Sequence, residues 1–138
     1  MLSTGNVEIA RSAYDAFNRR GVEGILDFLD PAIEWRAWER FSRDTHVDHG
    51  HEGARRVLAV YEENISELRV EPHEFIDAGE HVVVPFRLHG RARGSGEAVG
   101  YELVHVWTLP AGGDGKATSV VVYDSKEEAL RSVGLSTS

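Results

Sequence analysis

Apolar residues at Val7, Ala10, Tyr14 and Phe17 recur at three- and four-residue spacing, which predicts a helix with one buried stripe. Gly21 after "NRR" supplies its stop, because glycine enters the left-handed conformation without a Cβ clash. A second short helix is predicted over "VEGILDFLD", ended by Pro31, and the alternating "AIEWRAW" then reads as a strand. A third helix carries Ala54, Val57, Leu58, Tyr61 and Ile65 on one stripe. Four further segments, "LRVEPHEFIDAG", "EHVVVPFRLHGRARG", "AVGYELVHVWTLP" and "KATSVVVYD", read as strands of an antiparallel meander joined by glycine-rich turns. "SKEEALRSVGL" adds a terminal helix.

Two meander strands are apolar on both faces. In "YELVHVWTL" one face carries Glu102, Val104, Val106 and Thr108, and the other Tyr101, Leu103, His105, Trp107 and Leu109. Each face needs a cover. Helices on one side and a second copy of the chain on the other would provide it. The expected dimer buries Leu103, His105, Trp107, Val121 and Tyr123 between chains, and the expected interior contains Val7, Tyr14, Phe17, Leu26, Leu58, Phe86, Val104, Val106 and Val122.

Composition narrows the function classes. The 138 residues are expected to form a single domain, residues 1–138. With 23 acids against 15 Lys and Arg the formal net charge is -8, which argues against nucleic-acid and anionic-membrane partners. The chain has no cysteine, which removes thiolate catalysis and thiolate zinc cages. No apolar run reaches the roughly 20 residues of a membrane span, and the start lacks a secretory pattern, so a cytoplasmic location is expected. There is no nucleotide, flavin or phosphate-loop motif, and no cofactor is expected.

The order and spacing of "NVEIARSAYDAFNRRGVEGILDFLDPAIEW", "GHEGARRVL", "VEPHEFIDAGEHVVVPFRLHGRARGSG", "HVWTL", "DGK" and "VYDSKEEAL" resemble the SnoaL-like group of the nuclear transport factor 2-like superfamily over almost the whole chain. The resemblance implies an α+β cone of the cystatin-like kind, a curved antiparallel sheet wrapped around three N-terminal helices with an internal apolar cavity. Many such proteins are dimers. The superfamily includes ketosteroid isomerase, polyketide cyclases, dehydratases, hydrolases and non-catalytic binders, so fold does not stand in for function. Tyr14 falls where ketosteroid isomerases keep an oxyanion-donating tyrosine. The isomerase base falls at Arg36 and its protonated carboxyl at Val104, which makes that reaction an unexpected one here. The acid of SnoaL-type cyclases falls at Val122, with Asp124 two residues on.

The resulting candidates are Tyr14 as donor with Asp124 or Glu102 as acid/base, acting on a small apolar or amphipathic metabolite. The binding set is Tyr14, Phe17, Trp35, Arg36, Trp38, Phe86, Val104, Val106 and Val122. Each has a structural alternative: Tyr14 as a satisfied core phenol, Arg36 as an ion-pair partner of Glu34, Asp124 as a helix cap, His105 as an interface histidine. Arg87, His89, Arg91 and Arg93 alternate along one solvated strand face. His46, His49 and His51, interleaved with Asp44, Asp48 and Glu52, offer metal donors, but no two histidines stand one helical turn apart around an acid. No metal is expected there; the stretch reads as a polar loop over the cone mouth, with Trp35 and Trp38 in its lining.

Overall fold

The computed structural model describes residues 4–37 and 47–135. Helix α1 (Thr4–Arg20) buries Ala10, Ala13, Tyr14 and Phe17, and Gly21, at φ 68°, ends it by donating to the Phe17 carbonyl at 2.7 Å. Helix α2 (Val22–Ile25) runs into one 3-10 turn, Leu26–Phe28, and then directly into strand β1 (Leu29–Ala37). The predicted helix is therefore shorter than expected. Pro31 lies inside the strand instead of before it, within the interval where the pairing of β1 to its neighbour shifts register between Leu29 and Glu34. A strand proline is tolerated at such an irregularity because no ladder donor is demanded there.

A short strand β2 (Val47–His49) leads into α3 (Gly50–Asn64), and Ile65, expected on the helix stripe, instead begins β3 (Ile65–Pro72). Strands β4 (Ile76–Ala78), β5 (His81–Ala92), β6 (Ala98–Thr108) and β7 (Ala117–Tyr123) follow, then helix α4 (Lys126–Ser132). The curved sheet has the order β2-β1-β7-β6-β5-β3, with β4 also paired to β5. It is mixed, not purely antiparallel: β1 and β7 run parallel. That pair is possible because the whole meander and α3 lie between them in the chain, supplying the long crossover parallel strands require.

Helices α1, α2 and α3 occupy the inner face. Asn18 fastens α1 to β3 by a two-way bond, its Nδ2 donating to the Val70 carbonyl at 2.8 Å and its Oδ1 accepting from the Val70 amide at 2.9 Å. Of the expected interior, Tyr14, Phe17, Leu26, Leu58, Phe86 and Val122 are buried in the main core, with Val7 packed against it.

Val104 and Val106 are the correction. Pairing sets His105 opposite Val122 and Trp107 opposite Val120, while Val104 faces Tyr123 and Val106 faces Val121. Directly opposed residues share a face, so Val104 and Val122 cannot both point inward. Leu103 and Trp107 belong to the main core, with His105 buried beside them, and Val104 and Val106 join Val83 in a second cluster on the outer face. A one-residue slip exchanges the two faces of a strand, and here both are apolar, so hydrophobicity alone did not fix the choice.

The outer cluster is covered by this chain's own α4, through Ala129 and Leu130. Leu103, His105 and Trp107, expected on the outer face, point to the inner one, whereas Val121 and Tyr123 are half-buried on the outer side. The N-cap of α4 is Ser125, one residue past the expected Asp124, and it accepts from the Glu128 amide at 3.3 Å. No helix among the described residues is long and apolar enough to cross a membrane.

Trp107→Glu is predicted to abolish cooperative folding rather than to separate subunits, because it puts an unpaired carboxylate at a fully buried position. Loss of the far-UV circular dichroism transition at neutral pH checks this; a folded variant of altered assembly state would oppose it. Ser125→Ala is predicted to cost about 1 kcal/mol in urea unfolding, the usual value of a lost N-cap.

Candidate functional site

Midway along α1 the Tyr14 side chain enters the concave face of the sheet and meets β6. Its hydroxyl accepts from the Trp107 indole Nε1 at 2.8 Å and lies 2.7 Å from His105 Nδ1. A phenol has one proton to give. His105 Nδ1 is the acceptor that proton meets among the described residues, so we assign the bond as Tyr14 donating to His105, which places the neutral imidazole proton on Nε2. The order of donation is then Trp107 to Tyr14 to His105.

Aromatic rings enclose the imidazole. Phe86 lies 4.2 Å away between ring centres at a 31° tilt, and Trp35 stands edge-on at 5.6 Å and 85°. Tyr14, Trp35, Phe86 and Trp107 are each at most 2% exposed, and His105 is 8% exposed. This dryness sets the protonation states. Burial lowers the His105 pKa to about 3, because a charged imidazolium would lose its hydration with no carboxylate beside it. Burial likewise raises Tyr14 well above the usual phenol range, against a smaller opposite effect of the Trp107 hydrogen bond. Both groups are neutral at physiological pH.

Tyr14, Trp35, Phe86 and His105 line a cavity whose wall also includes Phe17, Ile25, Leu58, Tyr61, Val70, Leu88, Leu103 and Val122. Tyr61, pushed to a raised pKa by burial, and Leu103 also line a surface groove of about 500 Å³ between the end of α3 and the β5–β6 hairpin.

The SnoaL-like domain model matches residues 10–120. The chain belongs to the SnoaL-like family. No curated protein matches the sequence. Among solved structures, it is similar to an NTF2-like protein of unknown function from Burkholderia pseudomallei, at 27% identity and TM-score 0.71, covering 94% of this chain and 98% of that one. It is similar also to TerC, co-crystallised with polyporic acid, at 29% identity and TM-score 0.73, with 94% and 97% covered. A protein described as a candidate SnoaL-like polyketide cyclase from Jannaschia shares the fold at 23% identity and TM-score 0.72, with 87% and 85% covered.

In this SnoaL-like chain the structure brings together only some of the residues singled out from sequence. Tyr14, Phe17, Trp35, Phe86 and Val122 line the cavity. Arg36 is exposed, because β1 turns Ile33 and Trp35 inward and the alternate residues Glu34 and Arg36 outward. Val104 and Val106 lie behind the sheet, on its outer face. Glu102 is on the outside too, where hydrogen bonds from His73 at 2.7 Å and Arg87 at 3.0 Å hold its carboxyl below the ordinary range. Asp124 is exposed just before α4.

Trp38, His46 and Asp44 fall outside the described residues. His51 Nε2 contacts the Leu29 carbonyl at 2.9 Å and His49 sits at the N-cap of α3, and no metal-binding group of three donors occurs among the described residues.

His105 is, with Leu103 and Trp107, an inward residue that sequence reasoning places on the wrong face. A signal for it exists: Glu102 and Thr108 make the opposite face the more polar one, and polar ends mark the solvent side.

A depressed histidine pKa makes stability pH-dependent with a definite sign. Between about 3 and the ordinary 6.5 the unfolded chain binds a proton at this position and the folded chain does not, so stability falls as pH drops through that window. The wild type is predicted to lose about 2 kcal/mol of unfolding free energy from this group between pH 7 and pH 5, since one pKa unit is about 1.4 kcal/mol. His105→Gln, which keeps an acceptor for Tyr14, should lose much of that slope. Urea titrations at the two pH values check it, and equal slopes in both proteins would refute the assignment.

Proposed function

We propose that the chain takes a small, largely apolar or amphipathic metabolite into the cone interior and acts on it by cofactor-independent proton transfer, as an isomerase, cyclase, dehydratase or hydrolase. The observation that carries this reading is the neutral His105–Tyr14 pair in the wall of an otherwise apolar chamber. A neutral imidazole N–H in a dry site can polarise a carbonyl without the cost of burying a cation, as the neutral catalytic histidine of triosephosphate isomerase does. The family and the candidate polyketide cyclase among the structural neighbours support a cyclase-type role. TerC, co-crystallised with polyporic acid, supports an oxygen-bearing organic compound as the ligand type.

Ketosteroid-type isomerisation is disfavoured, because Arg36 stands at the position of the base and is exposed. Glu102 and Asp124, the acids expected from sequence, lie outside the cavity, which moves the proposed chemistry to His105 and Tyr14. Ligand entry requires the wall to yield. The cavity measures about 30 Å³, against the roughly 300 Å³ at which small-molecule pockets begin. Tyr61 and Leu103, shared with the surface groove, are the proposed point of opening.

That same small volume favours a second reading, a non-catalytic module with a filled interior. A homodimer in that reading would use the outer surface around Val121 and Tyr123, without Leu103, His105 and Trp107.

A thermal-shift panel of hydrophobic carbonyl compounds, epoxides and organic acids separates the two. A ligand at 100 times its dissociation constant stabilises by about 2.7 kcal/mol. The proposal predicts hits that survive Glu102→Gln and Asp124→Asn, and turnover that is lost in His105→Gln. No hit across the panel would favour the filled module.

A further inference from the structure

Trp35 is 1% exposed, lines the cavity, and its indole Nε1 is a fully buried donor without a hydrogen-bond partner among the described residues. Leaving such a donor unmade is unfavourable, and a buried indole N–H ordinarily finds an acceptor. Trp107 does so, on Tyr14. The orphan in Trp35 is thus the exception within one aromatic cluster.

The second donor is His105. Its Nδ1 is engaged by Tyr14 and its proton is on Nε2, which has no hydrogen-bond partner among the described residues. The two rings stand edge-on with centres 5.6 Å apart, and both line the same cavity. No carboxylate, amide or aliphatic hydroxyl lines this cavity among the described residues, and Tyr61 lies at its groove end. Tyr14, the donor suggested by sequence resemblance, already spends its one hydrogen bond as donor on His105. The wall therefore offers N–H donors and lacks a free acceptor.

We propose that Trp35 Nε1–H and His105 Nε2–H form a two-donor cradle for the sp² oxygen of an otherwise apolar ligand, a conjugated carbonyl or its enolate. Tyr14 and Trp107 act behind the cradle as positioning residues, fixing the histidine tautomer. The proposal rests on the reading of the interior as a small-molecule site and adds its polar specificity. It selects against amines, which bring a donor where the wall needs an acceptor and a charge that the dry site does not compensate.

The test uses acetophenone and α-methylstyrene, near-isosteres in which the carbonyl oxygen of the first is a methylene in the second, with benzylamine as the third probe. The wild-type protein is expected to bind acetophenone about tenfold or more tighter than α-methylstyrene, the effect of one hydrogen bond to desolvated donors. Benzylamine should not bind. Trp35→Phe and His105→Phe should each bring the ratio toward one while leaving α-methylstyrene binding in place, with circular dichroism confirming that both fold. Two spectroscopic readouts work in the wild type and do not depend on those variants. The Trp35 indole proton should move downfield in the NMR spectrum when acetophenone is added but not when α-methylstyrene is. The carbonyl stretch of bound acetophenone should lie below its frequency in hydrocarbon solvent.

Equal affinity for the two isosteres, with an unmoved indole proton and carbonyl stretch, overturns the cradle and leaves the cavity reading intact. Binding of neither isostere overturns the cradle together with the small-molecule reading beneath it.

Discussion

One hydroxyl group holds the interior together. The Tyr14 oxygen joins α1 to two side chains of β6 that are 91 and 93 residues away in the chain, accepting from Trp107 and donating to His105. That arrangement sets the rotation of α1 against the sheet and the inward face of β6. It also sets the proton position on the imidazole. Each bond is made in a dry, low-dielectric setting, where a satisfied polar network specifies one packing and a broken one is costly. Around it stand the aromatic rings of Phe86, Trp35 and Trp107.

The same constraint explains why the site has no charge. A carboxylate inside would need a partner, and none is present among the cavity residues; the ion pairs such as Glu102–Arg87, Arg55–Glu23 and Lys126–Glu74 lie at the surface. Exposed pairs of this kind contribute little to stability. The chemistry available inside is that of neutral N–H and O–H groups, whose strength comes from orientation and dryness.

Much of the fold was legible in the sequence because helix periodicity, glycine stops and the order of motifs are local signals. The cone, the meander and the inward placement of Tyr14, Phe17, Phe86 and Val122 follow from them. The register of β6 was not legible from apolarity, because α4 covers the outer face with Ala129 and Leu130 and so permits valines there as well. That ambiguity carried Val104 and Val106 to the wrong side, and His105 and Trp107 with them. Arg36 was misplaced for a similar reason: a strand whose pairing shifts near a proline does not announce which parity faces in. Glu102 and Asp124 drew attention as acids near the right strands, yet strand parity and a helix start put them in solvent. What sequence could not supply was the tautomer and the orphaned indole, since both depend on contacts between residues far apart in the chain.

The central claim is that Tyr14 donates to His105 and thereby fixes a neutral Nε2–H imidazole in the cavity wall. Nitrogen-15 chemical shifts of the His105 ring, followed from pH 7 to pH 4, test it most directly. The account predicts a protonated Nε2 and an unprotonated, hydrogen-bonded Nδ1 throughout that range. A ring that titrates near the ordinary 6.5, or one that carries its proton on Nδ1, would contradict it.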